Sequence, residues 1–81
     1  MSVERKTVTI TDVQYMSSNG DGSPRHRVIT NQGTWPTTPG GQVGYGITNS
    51  EFRGEVILTI DGGDIVGVST VDGSSFTGRQ S

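Results

Sequence analysis

Glu55-Val-Ile-Leu-Thr-Ile60, followed by Asp61-Gly-Gly-Asp64 and then Ile65-Val-Gly-Val-Ser-Thr-Val71, is the stretch on which the fold reading turns. The first six residues form the most apolar run in the chain. They are too few for a globular helix and rich in β-branched side chains, so they read as a strand suited to burial on both faces. Two glycines between aspartates supply the backbone freedom of a tight hairpin turn. The return segment, Asp64 to Val71, reads as the partner strand, and Gly67 within it marks a bulge or a close backbone approach. The tail from about Asp72 is expected to fray.

Upstream, Lys6-Thr-Val-Thr-Ile-Thr-Asp-Val-Gln-Tyr15 alternates Thr with Val8 and Ile10 at the period of a half-buried strand. The apolar phase then moves from even to odd positions, Val13 and Tyr15, which a bulge or bend near Thr11-Asp12 would produce. Ser17-Ser-Asn-Gly-Asp-Gly-Ser-Pro24 is a dense turn signal. Arg25-His-Arg-Val-Ile-Thr30 reads as a second strand, Asn31-Gln-Gly33 as a turn, and Thr34-Trp-Pro36 as a short third strand stopped by proline. Thr37 to Gly46 holds too many glycines and prolines for an element. Ile47-Thr-Asn-Ser-Glu-Phe-Arg53 can support one helical turn, capped by Thr48, Asn49 or Ser50.

This order predicts an all-β chain: a small five-stranded antiparallel barrel, OB-like or SH3-like, with at most one short helical turn between strands three and four. An open sandwich or a strand-exchanged oligomer uses the same elements. One domain over residues 1–81 is expected, with no repeat and no linker.

Composition bounds the function classes. The 81 residues include 13 Gly and no Cys, so disulfides and thiolate metal sites are excluded. Val, Ile, Leu and Phe are 18 of the 81, a thin supply for a core, and self-association is the expected remedy. The formal charge of −2 argues against an extended duplex-binding surface, although residues 22–50 contain Arg25 and Arg27 and no acid. No apolar run nears the roughly 20 residues of a membrane span, and Met-Ser-Val-Glu-Arg-Lys6 lacks the apolar centre of a signal peptide. A protein of the cytoplasm is expected, with no membrane partner.

Catalytic chemistry finds little support. His26 is the sole histidine, lies between two arginines, and has no nucleophile and acid at triad spacing. Asp61 and Asp64 belong to a turn, and Asn19-Gly-Asp-Gly22 lacks the later acid of a calcium loop. Gly40 to Gly46 does not match the phosphate-binding pattern and is followed by no Lys-Ser/Thr pair. No enzyme activity, cofactor or metal is expected. The binding candidates are Tyr15, Arg25, Arg27 and Trp35: arginines for phosphates and aromatics for stacked bases, on the strands that OB-like folds use for single-stranded nucleic acid. The competing reading is a protein-interaction or self-assembling module, using apolar side chains such as Met16, Tyr45, Phe52 and Phe76 that a thin core leaves over.

Val8-Thr-Ile-Thr-Asp-Val-Gln-Tyr15, Asn19-Gly-Asp-Gly-Ser-Pro-Arg25, Val28-Ile-Thr-Asn-Gln-Gly-Thr34 and Tyr45-Gly-Ile-Thr-Asn49 together resemble small accessory proteins of actinobacteriophages, including mycobacteriophages, over roughly residues 7 to 70. The segment Trp35-Pro-Thr-Thr-Pro-Gly-Gly41 departs from that pattern. The resemblance implies a phage product acting in the cytoplasm of a bacterial host. It brings no catalytic residues and implies binding to a host protein or to itself.

Overall fold

Threonines and β-branched residues in alternation make one long strand, β1 (Val3–Ser18), the spine of the sheet. The computed structural model describes residues 3–18, 24–38 and 42–78. β2 (Pro24–Thr30) and β3 (Gly33–Pro36) fold back beside β1 as an antiparallel meander. β4 (Gly54–Asp61) pairs with β1 on its other side, and β5 (Asp64–Thr70) returns along β4. The β4–β5 hairpin turns at Gly62 and Gly63, both at positive φ (63° and 88°), as two-residue turns of this kind require. Most of the turn from Ser17 to Pro24 lies outside the described residues.

The expected phase change in β1 is present. Ile10 pairs with Thr30 and Asp12 with Ile29, so Thr11 is an inserted residue, and a second irregularity falls between Tyr15 and Ser17. Gly67 stands beside a third, where Thr59 pairs with Gly67 but Ile60 with Ile65. Each insertion adds twist and helps the sheet to curl.

Three expectations are corrected. The sheet has six strands rather than five, in the order β3-β2-β1-β4-β5-β6. The sixth, β6 (Phe76–Gly78), comes from the tail that was expected to fray and pairs with β5. The sheet is also not a closed barrel. β3 has four residues and ends at Pro36, which has no N–H to extend a ladder, so among the described residues the two sides of the curl meet at an isolated bridge between Thr37 and Ile65. Finally, the glycine-rich connector forms a helical turn, α1 (Val43–Gly46), ahead of a 3-10 turn at Ser50–Phe52, so there are two helical turns and not one.

The connector forms these turns because it covers the core. One face of the curled sheet carries Val8, Ile10, Val28, Val56, Leu58, Ile60, Ile65 and Val68, and the cluster is completed by Val43, Ile47 and Phe52 from above. Val43 and Ile47 lie one helical turn apart and point the same way. In β4 the inward side chains are all buried, while on the outward face Thr59 is buried, Ile57 half-buried and Glu55 exposed.

Gly78 is where β6 locks on. Its φ is 81°, and a Cβ there would run into the Val66 carbonyl oxygen and come within 2.9 Å of the Gly67 Cα. Gly78→Ala is therefore expected to cost about 1–3 kcal/mol and to expose the β5 amides paired with β6, read by thermal melting and amide exchange. Phe52→Ala, emptying the centre of the cover, is expected to cost about 3–5 kcal/mol and to unfold much of the population.

Candidate functional site

Alternation along β2 divides the four residues marked by the sequence. His26, Val28 and Thr30 are buried, whereas Arg25 is half-buried and Arg27 exposed, which places the two arginines on the outer face. Tyr15 is the cross-strand partner of His26, and Trp35 that of Val28, so both aromatics belong to the inner face. The arginines share a surface; the aromatics lie on the other side of the sheet.

Each of the four has its own setting. Arg25 spans the gap where the curl fails to close: its Nε donates to the Thr37 carbonyl at 3.0 Å, and Nη2 lies 3.4 Å from Asp64 Oδ1. It is half-buried and engaged in holding β2 to the start of β5. Arg27 stands exposed between Gln14 of β1 and Pro36 of β3. Trp35 is half-buried and packs on the edge of the core. Tyr15 is 62% exposed and meets the His26 ring edge-to-face, with centroids 5.7 Å apart.

His26 itself is a structural residue of the seam. Its N–H donates to Thr37 Oγ1 at 3.0 Å, and its carbonyl accepts from the Thr37 N–H at 2.8 Å. His26 is 9% exposed, and its Nδ1 is buried and has no hydrogen-bond partner among the described residues. Among the described residues no hydroxyl or carboxylate therefore hydrogen-bonds Nδ1, as a nucleophile or an orienting acid would.

Sequence reasoning passed over two surface features. The first is the far half of β1. β4 pairs with β1 only as far as Ile10 opposite Gly54, so residues 11–18 have β2 on one side and, among the described residues, no strand on the other. Asp12 lies on this overhang. Its position beside the inserted Thr11 was legible, but that its edge lacks a neighbour depends on where β4 ends.

The second is a shallow groove of about 530 Å³ lined by Glu51, Glu55, Thr70, Val71, Asp72, Ser74 and Ser75. Its floor is the turn from β5 to β6. Asp72 Oδ1 accepts from Thr70 Oγ1 at 2.8 Å and from the Ser74 N–H at 3.0 Å, while the Ser75 N–H donates to Thr70 Oγ1. The Ser74 amide, foremost among these donors, holds the exposed Asp72 carboxyl down from 3.8 to about 2. Among the described residues no group of three His, Cys, Asp or Glu side chains is placed to hold a metal ion. No helix among them is long and apolar enough to cross a membrane.

Set against protein families, curated proteins and solved structures, the chain matches none of them.

Two outcomes follow for these residues. Trp35→Ala is expected to cost about 3 kcal/mol in chemical unfolding, whereas Arg27→Glu stays within about 0.5 kcal/mol, the range of ordinary surface changes. Because the Asp72 pKa is depressed, the stability it contributes is present above its ordinary value and lost as pH falls through about 2. Thermal melts of Asp72→Asn should therefore show a shallower loss between about pH 4 and pH 2 than the parent chain.

Proposed function

We propose that this chain is a non-enzymatic interaction module that works by associating with itself or with a protein partner. One observation carries the reading: among the described residues, the half of β1 beyond Ile10 has a neighbouring strand on one side alone, since β4 pairs with β1 only up to Gly54 opposite Ile10. Sheet edges that lack a neighbouring strand are templates for another one, and proteins use them for strand addition. An exposed apolar position supports it. Phe76 is 59% exposed at the end of an outward row that runs through Ser69, Ile57 and Thr7. The resemblance to small phage accessory proteins fits the same role, a phage product acting on a host protein in the bacterial cytoplasm.

The alternative, single-stranded nucleic-acid binding through Tyr15, Arg25, Arg27 and Trp35, has less support. Its arginines and aromatics occupy opposite faces, Arg25 is engaged with Asp64, and Trp35 packs against the core. Two arginines on an acidic chain would give weak binding that salt removes.

Size-exclusion chromatography with light scattering, on the protein alone and with a labelled single-stranded oligonucleotide at low and high salt, separates the two readings. A concentration-dependent oligomer that leaves the oligonucleotide unshifted is expected. A monomer at every concentration that shifts the oligonucleotide at low salt would replace this reading with the nucleic-acid one.

A further inference from the structure

Val3 to Ile10 of β1 pair with Asp61 to Gly54 of β4 without an inserted residue. Inserted residues bend strands, so this ladder bends less than the β1–β2 and β4–β5 ladders, which carry them. Val8, Ile10, Val56, Leu58 and Ile60 point into the core, and alternation therefore turns Arg5, Thr7, Thr9, Glu55, Ile57 and Thr59 outward. Register sets these six in three rows: Arg5 beside Thr59, Thr7 beside Ile57, Thr9 beside Glu55. Ile57 is half-buried, while Arg5, Thr7 and Glu55 are exposed. Arg5 and Glu55 stand at opposite corners of the patch, one strand over and four residues along, which is about 13 Å and too far to pair within the chain. The ion pairs among the described residues are Lys6 with Glu4 and Arg25 with Asp64, so both corner charges are left over.

We infer that the outer face of β1 and β4 is where two copies of this chain meet, face to face, around a two-fold axis that crosses the strands along the Thr7–Ile57 row. The inference deepens the self-association reading and rests on it, assigning the contact to the face of the sheet rather than to a strand edge.

A second copy is the occupant that the charge pattern fits. The axis lays each strand antiparallel over its own copy, and an interface of this kind must be complementary to itself. Ile57 meets the partner's Ile57 on the axis. Arg5 falls over the partner's Thr9 and beside the partner's Glu55, about 5 Å to the side across a layer of about 10 Å, which the two long side chains span. Symmetry makes the same pair again on the other side of the axis, and the like charges lie two rows apart. An axis parallel to the strands does the reverse, setting Arg5 beside the partner's Arg5 and Glu55 beside the partner's Glu55. The axial row continues through Ser69 of β5 to the exposed Phe76 of β6. Four strands by three rows measure roughly 20 Å by 20 Å. That is under the ~800 Å² per partner of a standard interface, so the dimer is a weak one.

Charge reversal tests this, read by light scattering across a dilution series. Arg5 and Glu55 are exposed, so the variants should stay folded, which thermal melting checks. Arg5→Glu and Glu55→Arg are each expected to move the monomer–dimer midpoint to about tenfold higher concentration, because each sets like charges together at both pairs. The two changes move the net charge in opposite directions, so weakening by both is not an effect of overall charge. The double variant Arg5→Glu/Glu55→Arg is expected to regain the midpoint of the parent. An equal mixture of the two single variants is expected to form heterodimers, since every cross-pair is then of opposite sign. A parent dimer that neither single variant weakens overturns this face and leaves self-association standing through another surface. Weakening that is neither restored in the double variant nor rescued by mixing overturns the pairing of Arg5 with Glu55 around this axis. Monomers at every concentration, in the parent and in the mixture alike, remove both this inference and the self-association reading.

Discussion

A sheet with one apolar face must have that face covered, and here the cover is the chain's own connector. Val43 from α1, Ile47 at its C-terminal end and Phe52 from the 3-10 turn close over the inward side chains of β1, β2, β4 and β5. Everything else in the structure depends on that closure. β5 and β6 gain a packing partner in α1, and β6 stays in place because Gly78 lets its backbone sit against Val66 and Gly67. So short an edge strand would have little to hold it without the layer above it.

The curl of the sheet is incomplete for a local reason. Inserted residues in β1 and β5 bend the strands toward closure, but β3 ends at Pro36 before a ladder to β5 can form. What joins the two sides is a small polar assembly: Thr37 bridging to Ile65, the Thr38 N–H donating to the Ile65 carbonyl at 2.8 Å, and Arg25 reaching Asp64. Arg25 and Asp64 are each about a third exposed, and an ion pair so placed contributes at most about 1 kcal/mol, so the seam is held by its geometry more than by charge. An incompletely closed sheet keeps its edges, and this gives the β1 overhang a place in the functional reading.

Most of the strands were legible before the structure, because alternation and turn chemistry are local. The bulge at Thr11, the Gly62-Gly63 hairpin and the irregularity beside Gly67 could all be read from residue order alone. α1 could not, since a Val-Gly-Tyr-Gly segment has no helix propensity to speak of. It is ordered by burying Val43 and Ile47, a tertiary effect that overrides the local one. β6 escaped notice for the same reason: a Phe-Thr-Gly triplet becomes a strand only because β5 is beside it.

The candidate site divides along the same line. Residue order placed Arg25 and Arg27 on one face of β2, and burial agrees, because the side-chain period of a strand belongs to the backbone itself. Cross-strand register then decided that Tyr15 and Trp35 face the other way, and the curl committed Arg25 to Asp64. Register and curl are set by where distant strands begin and end, which no local pattern encodes. The sequence by itself thus determined an all-β chain and its turns. Which strands become neighbours, and which side chains share a face, was decided only when the strands met.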